Sequence, residues 1–164
     1  MTTATFIIIM LVVAFIAIII NGIEDYSNDR EAMSFREAMD LVELPVVTFH
    51  QGKERFNFLL DTGSNHSHIS KQVSHKLKGE LLTGTENING VGGEVSISNA
   101  INTTLQYKDS SYDVTLLIGE HLDATFNTIK ESSGVIVHGI LGSAFFNEHK
   151  YILDFESLIA YSKK

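Results

Sequence analysis

The stretch Leu59-Leu60-Asp61-Thr62-Gly63-Ser64 puts an acid at the end of an apolar run, two residues before a glycine. Arg55-Phe56-Asn57-Phe58 leads into it with alternating polarity, so the whole reads as a strand that ends at Asp61. A carboxylate leaving a buried strand is costly to desolvate unless it is hydrogen-bonded or shares a proton. Gly63 permits a sharp backbone turn directly after it. Taken alone the tripeptide is a weak signal, because aspartate and glycine often do no more than close a strand.

The flanking sequence continues the strand pattern in both directions. Pro45 to His50 is β-rich, and Gln51-Gly52-Lys53-Glu54 reads as the turn before the Asp61 strand. Ser67-His68-Ile69-Ser70 is a further short extended piece, and Ser70 to Leu77 suits one or two helical turns with Ser70 as cap. Glu86–Asn89 and Glu94–Ser98 flank a glycine-rich tip, Gly90-Val91-Gly92-Gly93. Ile101–Tyr107 and Tyr112–Ile118 flank the polar turn Lys108 to Ser111. Gly139-Ile140-Leu141-Gly142 then precedes a short helix, Ser143 to Glu148. A last hairpin pairs Tyr151–Phe155 with Leu158–Tyr161. Many short strands at close spacing imply a small all-β domain.

In this order the elements resemble the retropepsin-like aspartic proteases, in particular their short single-domain cellular members. The matching features are a strand ending in Asp61-Thr62-Gly63, a glycine-tipped hairpin about 30 residues on, and Ile140-Leu141-Gly142 about 80 residues on. A helix and an Asp154-Phe155 hairpin follow, and the likeness covers roughly Leu44 to Tyr161. It implies a small closed β-barrel-like acid protease domain with one short C-terminal helix. By the same resemblance Asp61 is the catalytic acid, and Thr62 locks two active-site loops across a dimer axis. Gly63 makes the turn, and Ser64 offers its hydroxyl to the outer oxygen of Asp61. Gly90, Val91, Gly92 and Gly93 form a flap over an extended peptide, while Ile140, Leu141 and Gly142 support the active-site loop. Asn65-His66 departs from the family, where small or apolar residues are more usual, and the interval from Asp61 to Gly142 is longer than in the smallest viral members. The flap or the Tyr107–Tyr112 hairpin is the expected place for the added length.

The chemistry of such enzymes needs two carboxylates around one water. This chain holds no second Asp-Thr-Gly or Asp-Ser-Gly. A twofold homodimer supplies the second Asp61 by symmetry. The expected activity is therefore that of an aspartic endopeptidase acting on peptide or protein substrates without a cofactor. The alternative is a non-catalytic peptide-binding or dimerisation module on the same fold.

Composition narrows the rest. The 164 residues carry a formal charge of -8 and no cysteine, which excludes disulfides, thiol catalysis and thiolate metal sites. An acidic chain without a basic stripe argues against nucleic acid as partner. His66 and His68 would share a strand face as zinc ligands can, but with seven histidines present chance pairing is the simpler account, and no metal is expected. The glycine-rich tip lacks the Gly-Lys-Ser/Thr and βαβ context of a nucleotide loop. Asn65-His66-Ser67 and Asn102-Thr103-Thr104 match a glycosylation acceptor pattern by chance. No local signature supports a serine hydrolase.

The amino-terminal end is of another kind. Phe6 to Ile20 is an unbroken apolar run of 15 residues, and no charged side chain occurs before Glu24. As a helix, some 20 residues reach across about 30 Å of hydrocarbon. Neither a preceding Lys or Arg nor a following small-x-small pair marks a cleavable signal, so an uncleaved single-pass anchor over 1–23 is expected. The missing cations after it favour an amino terminus inside and a domain on the outer, extracytoplasmic side. Residues 24–42 read as a juxtamembrane connector with an Asn28 cap, Glu31, and Ala32, Phe35, Ala38 and Met39 at helical spacing. Residues 43–164 read as the protease-like domain.

Overall fold

The computed structural model describes residues 33–90 and 93–163, with backbone alone over 85–98. The expected anchor and the Asn28 cap lie outside the described residues, among which no helix is long and apolar enough to cross a membrane. The compact unit runs from Met33 to Lys164, and so includes the second half of the segment read as connector.

That half forms α1 (Phe35–Val42), entered through Ser34, whose side chain accepts from the Glu37 N–H at 3.2 Å. Ser34 and Glu37 have the spacing of a capping box, and Glu43, left-handed at φ 56°, ends the helix. Strands β1 (Val46–Gln51) and β2 (Glu54–Leu60) pair as a hairpin around Gly52, where φ is +62°. After β3 (Ser67–Ser70), the Ser70 hydroxyl caps a single turn, α2 (Lys71–Ser74). Strands β4 (Glu80–Gly90) and β5 (Gly93–Tyr107) make one long hairpin, and β6 (Ser110–Gly119) returns along β5. The chain then runs through α3 (Asp123–Ser133), β7 (Gly139–Leu141), α4 (Ser143–His149), β8 (Tyr151–Asp154) and β9 (Ile159–Ser162).

The strand order is β1-β2-β7-β3-β6-β5-β4, and β1 also meets β5 where His50 lies opposite Gln106. Six strands thereby close on themselves, leaving β4 outside the ring. The expectation of a closed all-β barrel holds, and α4 is the expected C-terminal helix. Helix α3 was not anticipated. Its stripe of Leu122, Phe126 and Ile129 covers an outer apolar layer shared with Ala38, Val46, Val137 and Ile140. The interval between Asp61 and Gly142 thus holds α3 besides the two hairpins.

Inside the ring, Phe49 is fully buried and touches the rings of Phe58, Tyr107, Tyr112, Phe145 and Tyr151, at centroid distances of 5.3 to 6.3 Å. Several of these contacts are edge-to-face, the arrangement that matches ring edges to ring faces. Phe35 of α1 joins the same core at 1% exposure and meets Phe155 edge-on at 5.3 Å.

A buried polar thread crosses between the layers. Thr48 Oγ1 donates to Asn57 Oδ1 at 2.6 Å, and the Met33 N–H donates to Thr48 Oγ1. Asn57 Nδ2 donates to the Ile136 carbonyl at 2.8 Å. The Asn57 N–H donates to His138 Nδ1 at 2.9 Å, and the His138 N–H returns to the Asn57 carbonyl at 2.8 Å. These bonds set where the chain re-enters the barrel as β7, and so where Gly142 comes to lie.

Because Phe35 fills the core, Phe35→Ala in the full-length chain should lower the unfolding free energy by about 3–5 kcal/mol in urea titration. Unchanged stability would show that α1 rests on the surface.

Candidate active site

Strand β2 is covered on both faces over Phe56, Asn57 and Phe58, and Leu60 at its end is 2% exposed. The next residue, Asp61, is half-buried, while Thr62 and Gly63 are exposed. The Gly63 N–H donates to Asp61 Oδ1 at 2.8 Å, so the carboxylate folds back on its own turn. Gly63 is not left-handed, as the positive-φ glycines among the described residues are Gly52 and Gly134. The turn therefore does not need glycine for its torsion angle. A Cβ at Gly63 would come within 3.1 Å of Asp61 Oδ1, so a side chain there would press on the carboxylate itself.

The loop is held from below by the chain entering α4. Strand β7 runs parallel to β2, with Leu59 opposite Ile140 and Leu60 opposite Leu141, and antiparallel to β3, with His68 opposite Ile140. It is wedged between the strand that enters the Asp61 loop and the strand that leaves it. The Asp61 N–H donates to the Leu141 carbonyl at 3.0 Å. The Ser143 N–H donates to the Ser64 carbonyl at 2.7 Å, and the Ala144 N–H to the Asn65 carbonyl at 3.3 Å. Gly142 sits between these bonds. A Cβ there would lie 2.4 Å from the His66 carbonyl oxygen and 2.7 Å from that of Ser64, so no side chain fits without moving the loop. Its N–H donates to the buried Ser67 hydroxyl at 3.1 Å.

The structure thus brings Asp61, Thr62, Gly63 and Ser64 together with Ile140, Leu141 and Gly142. One expected contact is absent. Ser64 Oγ donates to the His66 carbonyl at 2.7 Å and not to Asp61; the donor at Asp61 Oδ1 is the main-chain N–H of Gly63. The hydroxyl is turned toward the His66 main chain instead. In the β4–β5 hairpin Gly90 pairs with Gly93, while Val91 and Gly92 lie outside the described residues. Sequence reading missed Ser67, which looks like any strand residue until Gly142 is seen beside it.

The profile of the aspartyl protease family matches residues 46–145, a span that contains the Asp61 loop and its Gly142 support. The chain belongs to the aspartyl protease family. This bears out the retropepsin-like reading of the sequence. Among solved structures, the EIAV protease complexed with the inhibitor HBY-793 is 23% identical, with 66% of this chain and 90% of that chain covered and a TM-score of 0.48. No curated protein matches the chain.

Two histidines, His66 and His68, lie close to the family motif. Among the described residues no group of three or more His, Asp or Glu is arranged to hold a metal ion. His68 is 4% exposed, its ring meets that of His121 edge-on at 4.9 Å, and its Nδ1 is buried without a partner. Burial lowers His68 to about 4, helped by the nearby His121 and His66. Burial likewise lowers His138 to about 4, with Lys76 adding to the effect, and its Nδ1 already accepts the Asn57 N–H. Both rings are neutral in the folded protein at neutral pH.

A histidine whose folded value lies below its unfolded one takes up a proton more readily when unfolded, so stability falls as pH drops from about 6.5 through about 4. Acid titration of the unfolding free energy should show a loss across that window. For His68 it should be on the order of 3 kcal/mol, and His68→Leu should flatten that part of the curve. An unchanged profile in the variant would place the acid sensitivity elsewhere.

Proposed function

We propose that the chain is an aspartic endopeptidase in which two copies each contribute Asp61 to one active site. The observation that carries this reading is the Asp61 loop itself. A lone Asp-Thr-Gly stands at the mouth of a buried strand, pinned by main-chain bonds to the segment before α4, with Thr62 and Gly63 left exposed. A chain with one such loop holds half of the chemistry. In the dimer Thr62 is the residue that joins the two loops, and the Asp61 carboxylates face one water molecule.

At about 3 Å two carboxylates cannot both ionise and share one proton. The ionised Asp61 takes a proton from the water as it attacks the peptide carbonyl, and the protonated Asp61 of the other copy donates to the carbonyl oxygen. Collapse of the tetrahedral adduct passes a proton to the departing amine and releases the two fragments. The β4–β5 hairpin, with its tip at Gly90, Val91, Gly92 and Gly93, acts as the flap. It holds the substrate as an extended strand through main-chain hydrogen bonds, with side-chain pockets adding preference.

Residues 1–23 serve as a single-pass anchor with the protease domain on the outer side, a reading supported by their uncharged apolar run. Tethering both copies to one membrane raises the concentration each presents to the other.

The test is cleavage of a diverse peptide library by the full-length chain in detergent, wild type beside Asp61→Asn, from acidic to neutral pH. Loss of the acid–base pair should reduce cleavage by about 10²–10⁴-fold or more, with folding and self-association unchanged. Wild-type cleavage by Asp61→Asn would end the reading.

A further inference from the structure

We infer that Ser67 is a positioning residue for the Asp61 loop, acting through the main chain of Gly142; the inference rests on the protease reading above. Four hydrogen bonds join the loop and the start of β3 to the chain from Leu141 to Ala144. Three of them, Asp61 to Leu141, Ser143 to Ser64 and Ala144 to Asn65, run from main chain to main chain and survive any substitution that leaves the backbone in place. The fourth runs from the Gly142 N–H to Ser67 Oγ at 3.1 Å, and both ends are buried.

Gly142 needs this acceptor. The β2–β7 ladder ends at Leu60 opposite Leu141, and the β3–β7 ladder reaches His68 opposite Ile140. Beyond these pairs neither neighbouring strand presents a carbonyl to the Gly142 N–H, which is shielded from water. The chain at Gly142 is also pressed against the Ser64 and His66 carbonyls, where even a methyl group would overlap. Removing the acceptor leaves a buried donor without its partner, and a shift of Gly142 toward another would press on Ser64 and His66. Those residues directly follow Asp61-Thr62-Gly63. Ser64 Oγ, bonded to the His66 carbonyl, stiffens the same stretch. The hydroxyl of Ser67 therefore sets the height of the loop that presents Asp61.

A displacement of about 1 Å at a reacting group costs on the order of 100-fold in rate, whereas binding of an extended peptide through a separate hairpin is little affected. Full-length Ser67→Ala should lose at least about tenfold in kcat with KM within about twofold of wild type, while remaining folded and dimeric. Ser67→Thr, which keeps the hydroxyl, should recover most of kcat, whereas Ser67→Val, of the same shape without it, should not. The hydrogen bond is read independently of catalysis by amide exchange at Gly142. Exchange should be slow in wild type and Ser67→Thr, and faster in Ser67→Ala. This measurement remains informative if Asp61→Asn shows that the protease reading itself is wrong. Wild-type kcat in Ser67→Ala, equal activity of the Thr and Val variants, or a Gly142 amide equally protected in Ser67→Ala would overturn the inference. So would a kcat that falls only in step with the folded fraction, which would make Ser67 a stability residue.

Discussion

Three backbone bonds and one glycine without room for a side chain hold the Asp61 loop, and the rest of the structure serves to bring their two halves together. Strand β7 is three residues long, yet it lies parallel to β2 on one side and antiparallel to β3 on the other. A strand in that position can reach both ends of the loop at once. Its carbonyl at Leu141 receives the Asp61 N–H, and the first amides of α4 reach the carbonyls of Ser64 and Asn65. The barrel closure, the aromatic core around Phe49 and the Asn57–His138 exchange all keep β7 at the right height. Because protein interiors are close-packed, small shifts in any of these would be passed on to the loop.

The same geometry leaves the loop exposed where a second copy would be needed. Asp61 is half-buried and Thr62 and Gly63 face solvent, although every neighbouring strand residue from Phe56 to Phe58 and from Ser67 to Ser70 is buried. A carboxylate so firmly placed, at the edge of a unit that supplies one acid, fits a site completed across a symmetry axis. The outer helices have a different task. α1 carries Phe35 into the core, and α3 lays Phe126 over Val137 and Ile140. His68, buried in β3 against the His121 ring, keeps a neutral ring that tolerates burial as an imidazolium would not.

Much of this was legible in the sequence because the signals were local. Ser70 caps α2 through its own side chain, and β3 spans Ser67–Ser70 as its composition implied. The order of Asp61-Thr62-Gly63 and Ile140-Leu141-Gly142 marks the two halves of the loop support in the sequence itself. What could not be read depended on distant partners. Asn57 and His138 exchange two hydrogen bonds across a gap that no local pattern marks. The partner of Ser64 Oγ is decided by where the His66 carbonyl points once β3 has formed. Helix α3 was missed because Thr125, Asn127 and Thr128 dilute its apolar spacing, and its first residue follows Leu122, which offers no capping side chain. Strand β5 was read as two pieces because Asn99 and Ala100 look like an interruption, although Ala100 pairs with Leu117 in an unbroken ladder.

The central claim is that one active site takes its two acids from two chains. Subunit mixing measures this directly: wild type and Asp61→Asn are exchanged at a fixed total concentration, and cleavage is followed against the wild-type fraction. A shared site predicts activity that falls as the square of that fraction, because a mixed dimer lacks one carboxylate. A straight line through the same titration would mean that each chain cuts on its own, and the two-chain account would be wrong.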